Sequence, residues 1–205
     1  MIRNDDESKV KTVLNLQYKG DRNYLQGGDI FNALTDELKA KFGSQAFVSS
    51  INYKDLFKQA VELIIAPADK ALTGQKATFT GKNGDELIQG ALVETDVDVL
   101  GRTSYDESLV VDKCTFGENS ISQEQRGGFS AMEEIVSITK ALHQKMYDIE
   151  GKWLFVQAGI LEALVEDDGL YTVIIKSTVG QRYTRSIISK NGKEIGWIGF
   201  SLSAV

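Results

Sequence analysis

This chain is almost without three residues that carry much of protein chemistry. It has one cysteine, Cys114, one histidine, His143, and one proline, Pro67. A single cysteine excludes an internal disulfide framework and a cysteine metal site. A lone histidine with no second histidine or cysteine nearby makes no metal site either. One proline leaves no proline-rich linker. No apolar run approaches the roughly 18 residues of a membrane-spanning helix. Basic residues are outnumbered, 23 Lys and Arg against 29 Asp and Glu, for a net charge of −6. With no basic cluster or RNA-reading motif, that balance argues against nucleic acid as a partner. There is no Gly-x-Ser-x-Gly and no phosphate-binding loop, and nothing in the chain calls for a cofactor. Met1 to Ser8 is polar and charged and is expected to be a frayed tail, not a signal peptide. A cytoplasmic protein is the default expectation.

What is present is ordinary in bulk and unusual in arrangement. A chain of 205 residues, 42% hydrophobic, can bury a sizeable core without a staple. Short sequences recur within it. Gln26-Gly27-Gly28 precedes one helical stretch and Arg126-Gly127-Gly128 another. Phe47-Val48 recurs as Phe155-Val156, and Lys82-Asn83-Gly84 as Lys190-Asn191-Gly192. Leu56 and Leu164 match at the same separation as the last two. Matches that agree in register point to a whole small unit present twice, longer than a solenoid repeat. The expected layout is a tail over 1–12, a first unit over 13–96, a connector over 97–106 and a second unit over 107–205.

Each unit reads in the same order. Val13 to Tyr18 alternates like a half-buried strand. A polar loop follows, and then Ile30, Phe31, Leu34, Leu38 and Phe42 fall on one helical stripe. Asp29 stands where an N-cap would stand, and Gly43 where a helix ends. Strands are expected near 46–53, 58–66, 74–81 and 85–94, the last two joined by Asn83-Gly84, a strong hairpin signal. In the second unit a strand is expected over 109–116, a loop over 117–126 and a helix over 129–147. Further strands are expected near 152–160, 169–177, 181–189 and 194–203.

A long helix in so short a unit has only its own sheet to pack against. Strand, glycine-rich helix start, helix and four antiparallel strands resemble the hotdog fold, in which a sheet wraps a central helix. Two units in one chain would make a double hotdog of class α+β, with two central helices packed on a continuous curved antiparallel sheet. The resemblance implies an enzyme of acyl thioesters carried by coenzyme A or acyl carrier protein. Its site would lie where the two units join, near the helix starts. Pairing of two such chains into a homodimer stays open.

Physical chemistry gives that location a reason. A helix N-terminus carries free N–H groups and the positive end of the helix dipole. Gly27, Gly28, Gly127 and Gly128 would let backbone amides approach a thioester carbonyl. Many thioesterases of the superfamily have His-Gly-Gly there; this chain has Gln26 and Arg126 in the histidine position. Acidic residues follow about two turns on, Asp36 and Glu37 in one unit and Glu133 and Glu134 in the other. Asp36 falls opposite the apolar stripe, as a solvated residue would. Glu134, nearer the stripe edge, is the expected general base or nucleophile, with Asp29 and Tyr24 as the other candidate pair. The loop Gly20-Asp21-Arg22-Asn23-Tyr24-Leu25-Gln26 resembles the Gly-Asp-x-Asn-Pro-Leu-His signature of MaoC-like hydratases. Gly20, Asp21, Asn23 and Leu25 match; Tyr24 replaces the proline and Gln26 the histidine. Glutamine cannot exchange protons near neutral pH, so hydrolysis is preferred over dehydration or hydration. Asp21, Asn23, Gln26 and Arg126 remain candidates for substrate binding. The alternative is a non-catalytic binder of an acyl chain or acyl carrier. His143 reads as a helix-face residue near a helix C-terminus, where positive charge is favoured. Cys114 reads as a buried thiol. Arg182, Arg185 and Lys176 read as an ordinary charged sheet face, or else a coenzyme A phosphate contact.

Overall fold

The structure is a computed structural model that describes residues 10–65 and 73–203. The tail Met1 to Ser8, Pro67 and the last residue of the strand expected at 58–66 lie outside the described residues.

The first half runs β1 (Val10–Val13), β2 (Tyr18–Lys19), α1 (Gly27–Phe42), β3 (Phe47–Tyr53), β4 (Val61–Ile65), β5 (Gln75–Asn83) and β6 (Glu86–Glu94). The connection carries β7 (Arg102–Thr103) and a short helix α2 (Ser108–Val111). The second half runs β8 (Cys114–Phe116), β9 (Ser120–Gln123), α3 (Ala131–Met146), β10 (Lys152–Ile160), β11 (Tyr171–Val179), β12 (Tyr183–Lys190) and β13 (Lys193–Ser203). Eleven strands form one antiparallel sheet in the order β1-β4-β6-β5-β3-β10-β13-β12-β11-β9-β8. β2 and β7 pair in parallel as a separate ribbon.

The helices lie against this sheet because their apolar stripes have nowhere else to go. Leu34 and Leu38 of α1 and Met132, Ile135, Ile138 and Leu142 of α3 have no exposed surface, in one core with Val48, Val173, Ile188 and Ile198 from the strands. α3 is buried on more than one face, since α1 and α2 also pack on it. The two halves join through β3 and β10, with Asn52 opposite Gln157, Ile51 opposite Ala158 and Ser50 opposite Gly159. Gln157 Nε2 donates to Asn52 Oδ1 at 2.9 Å across the join. Bulges follow Val48 and Phe155, the residues before the central pairing on each side. A bulge bends its strand and sharpens its twist.

Three expectations need correction. The first strand falls earlier than Val13 to Tyr18: β1 includes Val10 to Thr12, assigned above to the tail, and pairs with β4. The strand expected at 109–116 is half helix. Asp106 Oδ1 accepts from both the Ser108 amide (2.9 Å) and the Ser108 hydroxyl (2.7 Å), a local turn that starts α2 before the apolar run can extend. The loop expected at 117–126 contains β9, which pairs with both β8 and β11.

The matched hairpins are also not equivalent in space. Outward from β3 the first half runs β5, β6, β4; outward from β10 the second runs β13, β12, β11. The Gly84-Asp85 turn therefore lies beside the start of β3, where Phe47 faces Lys82. The Asn191-Gly192 turn lies beyond the end of β10, where Ile160 faces Gly196. Asn191 and Gly192 both have positive φ, 49° and 82°, as a type I′ turn needs. In the first half Asn83 is still paired in the strand, with Glu86, and Gly84-Asp85 makes the turn. The recurrence of Lys-Asn-Gly reflects shared turn chemistry, since strand order differs between the halves.

Candidate functional site

α1 begins two residues before the expected N-cap. Gln26 is the N-cap, extended at φ −72° and ψ 136°, and its side chain makes no capping bond. Asp29 therefore sits inside the first turn, where a carboxylate is stabilised by the helix dipole. The glycines ahead of it serve close approach. A Cβ on Gly27 would stand 2.8 Å from Phe155 Cδ1 and 3.3 Å from Tyr53 Cε2. Tyr53 OH also donates to the Gly27 carbonyl at 2.7 Å. Gly28 faces the α3 backbone at Glu133. The first amides of α1 have no acceptor within the helix.

Lys19, at the end of β2, reaches between the two helices. Its Nζ donates to Asp29 Oδ1 at 2.7 Å and also to Glu133 Oε1 of α3. Burial pushes the Asp29 carboxyl up to about 6; Lys19 pulls it back down, and the neighbouring Glu133 adds to the rise. Burial acts the same way on Glu133, but the hydrogen bonds from Lys19 and Ser130 outweigh it and hold Glu133 below the usual range. Burial opposes the charge on Lys19, and its two carboxylate partners overcome that and raise it. Asp29 is thus the member of the trio nearest to titrating at neutral pH. Tyr105 closes one side, its ring 5.0 Å from Lys19 Nζ and its hydroxyl 2.6 Å from Ser137 Oγ. On the other side Asn32 Nδ2 donates to Ser130 Oγ at 2.6 Å, tying α1 to the start of α3. Asp29 and Lys19 open onto a hollow of about 450 Å³ that also takes in Asn32 and Asp36.

The expected second site is a closed structural network. α3 starts at Ala131, not at the glycines, with Ser130 as N-cap and a reciprocal capping box to Glu133. Glu134 has no exposed side-chain surface. Its carboxylate accepts from Gln123 Nε2 (2.7 Å), Arg126 Nε (2.6 Å), the Gly127 amide (2.8 Å) and the Phe129 amide (3.1 Å). Those bonds occupy its oxygens, so it is no free base or nucleophile. Arg126 is equally committed, to Glu134, the Asp167 and Phe129 carbonyls and Glu166, with its guanidinium over the Tyr171 ring. The Gly127 amide, spent on Glu134, is not available to a thioester. Gly127 is required because a Cβ would stand 2.5 Å from Val110 Cγ2, and Gly128 because its φ is 90°. Glu166 occupies the α3 N-terminus itself, accepting from the Ala131 amide at 2.8 Å.

The remaining candidates scatter. Tyr24 and Gln26 line a narrow cleft beside Gly27, and Asp21, Asn23 and Tyr24 a wider hollow, whereas Asp29 lines a third. Tyr24 and Asp29 are therefore not brought together. His143 is fully buried and is no charged helix cap. Its Nδ1–H donates to the Thr139 carbonyl (2.6 Å), which leaves Nε2 to accept from the Thr184 hydroxyl (2.5 Å). Burial lowers it to about 4. The half-buried Cys114 thiol is pushed up to about 11 by burial, which removes it as a nucleophile. Arg185 lies 3.9 Å over Trp197 on the other face of the sheet from the helices. No cluster among the described residues has the composition of a metal site. Sequence reasoning passed over Lys19 and ranked Glu133 second. Ser130-x-x-Glu133 is a legible capping box, but nothing local marks Lys19, whose partner Glu133 is 114 positions away.

No protein-family model matches the chain, and no curated protein matches it. Solved structures do. A proposed thioesterase II from Thermobifida fusca YX is 11% identical, with 97% of this chain and 94% of that one covered and a TM-score of 0.53. The dehydratase domain of the polyketide PpsC from Mycobacterium tuberculosis is 9% identical, with 98% and 95% covered and a TM-score of 0.52. A monomeric dehydratase domain from a trans-AT polyketide synthase split module is 12% identical, with 96% and 99% covered and a TM-score of 0.51. The chain has the hotdog fold. The Lys19–Asp29–Glu133 trio lies between the first turns of α1 and α3, the two long helices that pack on the sheet. No described helix is long and apolar enough to cross a membrane.

Proposed function

We propose that this chain is a double hotdog that hydrolyses an acyl thioester carried by coenzyme A or acyl carrier protein, at one asymmetric site at the start of α1. The observation that carries this reading is Asp29, raised to about 6 by burial, held by Lys19 and facing Glu133 from the other half. Near pH 7 it is ionised and basic enough to take a proton from water. The water oxygen bonds to the thioester carbonyl carbon, and the amides at the positive end of α1 stabilise the oxyanion. Collapse breaks the C–S bond, and the proton held by Asp29 passes to the leaving thiolate. Lys19 and Glu133 position Asp29. The solved structures support the substrate class; one dehydratase domain of PpsC, at a TM-score of 0.51, is in complex with C12:1-CoA.

The test is a panel of acyl-CoA esters with free thiol followed. Wild type is expected to release thiol from at least one ester, and Asp29→Asn to lose ~10²-fold or more. The second reading, a non-catalytic acyl binder, draws on Lys19, which already bridges both carboxylates. Thermal stabilisation by acyl-CoA with no thiol release from any ester would establish that reading and overturn hydrolysis.

A further inference from the structure

Asp29 and Glu133 share one ammonium, yet the two carboxylates are not held alike. Among the described residues Asp29 accepts one hydrogen bond, from Lys19 Nζ at 2.7 Å. Glu133 accepts three: Oε1 from Lys19 Nζ, and Oε2 from the Ser130 amide at 3.1 Å and the Ser130 hydroxyl at 2.5 Å. That hydroxyl has a single hydrogen to give. Two donors meet its oxygen, Asn32 Nδ2 at 2.6 Å and the Glu133 amide at 3.4 Å. With the lone pairs so occupied, the hydrogen is left to point at Glu133 Oε2. Asn32 stands one turn after Asp29 on α1. The bonds therefore close a circuit from Asp29 through Lys19, Glu133 and Ser130 to Asn32, and back along the helix. Tyr53 from β3 and Tyr105 from the connection also face the pair, both pushed up by burial and so neutral. Asp36, two turns along α1, lines the same hollow as Asp29. Asp29 opens onto that hollow and Glu133 does not.

We propose that Asn32 and Ser130 are positioning residues that keep the proton of this carboxylate pair on Asp29, the member that faces the hollow. A carboxylate that accepts more hydrogen bonds holds a proton less readily, so three donors against one send the proton to Asp29. The opposite displacements of the two carboxyls, Asp29 up and Glu133 down, agree with that direction. A proton on Asp29 can reach a leaving thiolate in the hollow; one on Glu133 is out of its reach. This inference rests on the hydrolytic reading for its consequence, but the place of the proton is measured without any substrate.

The full chain, labelled with carboxyl carbon-13 Asp and Glu, is titrated by NMR from about pH 4 to about pH 8. Asp29→Asn and Glu133→Gln assign the two signals. In wild type the step near pH 6 is expected at Asp29 alone. Ser130→Gly removes the hydroxyl. Losing one donor to a charged group raises a carboxyl's proton affinity about 10-fold or more. The proton then divides between the pair, and the step at Asp29 shrinks about 2-fold or more. Ser130→Thr keeps the hydroxyl and is expected to keep the full step. Gly and Thr cap a helix about equally well, so a difference between these variants reports the hydroxyl and not the cap. Asn32→Ala, at a half-buried helix position, frees the hydroxyl to turn and is expected to shrink the step by less. An undiminished Asp29 step in both Ser130→Gly and Asn32→Ala overturns the proposal. So does equal behaviour of the two Ser130 variants, or a wild-type step already shared with Glu133. Where thiol is released, kcat of Ser130→Gly is expected to fall with the Asp29 step while KM holds. A divided proton with no thiol release from any ester would leave the circuit standing and sink hydrolysis. Thiol release with an unmoved step would do the reverse.

Discussion

Gly28 of α1 lies against Glu133 of α3, so close that a Cβ on Gly28 would be 3.6 Å from the Glu133 Cα. This is where the two halves bring their helix starts together, and it is a van der Waals contact with no overlap. Gly28→Ala should therefore fold, and the gain in helix propensity of up to about 1 kcal/mol offsets any tightness. Gly27→Ala should behave differently, because its Cβ meets Phe155 at 2.8 Å. A loss of about 1–3 kcal/mol is expected, typical of overpacking. Urea denaturation of the two variants checks the contrast; equal stability would mean that Gly27 is not a close-packing glycine.

Asp29 has a folded-state value of about 6 against an ordinary 3.8. A carboxyl raised on folding contributes stability that is fully present below pH ~3.8 and lost as pH rises through ~6. Asp29→Asn removes that loss. The variant should melt a few degrees above wild type at pH 7.5 and show little gain at pH 4, at roughly 2–4 °C per kcal/mol for a chain of this size. Equal gains at both pH values would rule out a perturbed carboxyl. Thiol release by wild type should rise with pH through an apparent value near 6.

His143 has the opposite sign. Its value falls from 6.5 to about 4 on burial, so its stabilising contribution is present above pH ~6.5 and lost as pH falls through ~4. The tautomer that donates to Thr139 and accepts from Thr184 is neutral. His143→Gln should cost about 2–4 kcal/mol at pH 7.5, since it opens the stack with Trp153 (4.4 Å) and Phe200 (5.2 Å). It should also flatten the fall in stability between pH 6.5 and 4. A variant with the wild-type slope would show that another group titrates there.

Glu134→Ala leaves Arg126 without its buried partner and strands the Gly127 and Phe129 amides. A loss of about 3–5 kcal/mol is expected, the usual result of breaking a buried pair from one side. A catalytic base would show the reverse pattern, with melting unchanged and thiol release abolished.

The elements were largely legible because their signals are local. α1 and α3 announce themselves by stripes at helical spacing, and β10, expected at 152–160, matches to the residue. The site was legible only in outline. Gly27, Gly28 and Asp29 were marked by their place before an apolar stripe, while Glu134 and Arg126 looked available because the sequence cannot show that each is spent on the other. Lys19 carried no signal at all, since a lysine in a polar loop is unremarkable until two carboxylates from different helices surround it.

By itself, then, the sequence marked α1, α3 and most strands of the large sheet, and missed α2 and β9. Periods of two and 3.6 and the chemistry of turns act over a few residues and need no partner. Only the tertiary structure decided strand order, which sets the two Lys-Asn-Gly hairpins at non-equivalent places. It also decided which carboxylates stay buried and saturated and which one is left near 6. Those outcomes depend on which distant groups share a low-dielectric interior, and contacts between residues a hundred positions apart leave no periodic trace in the chain.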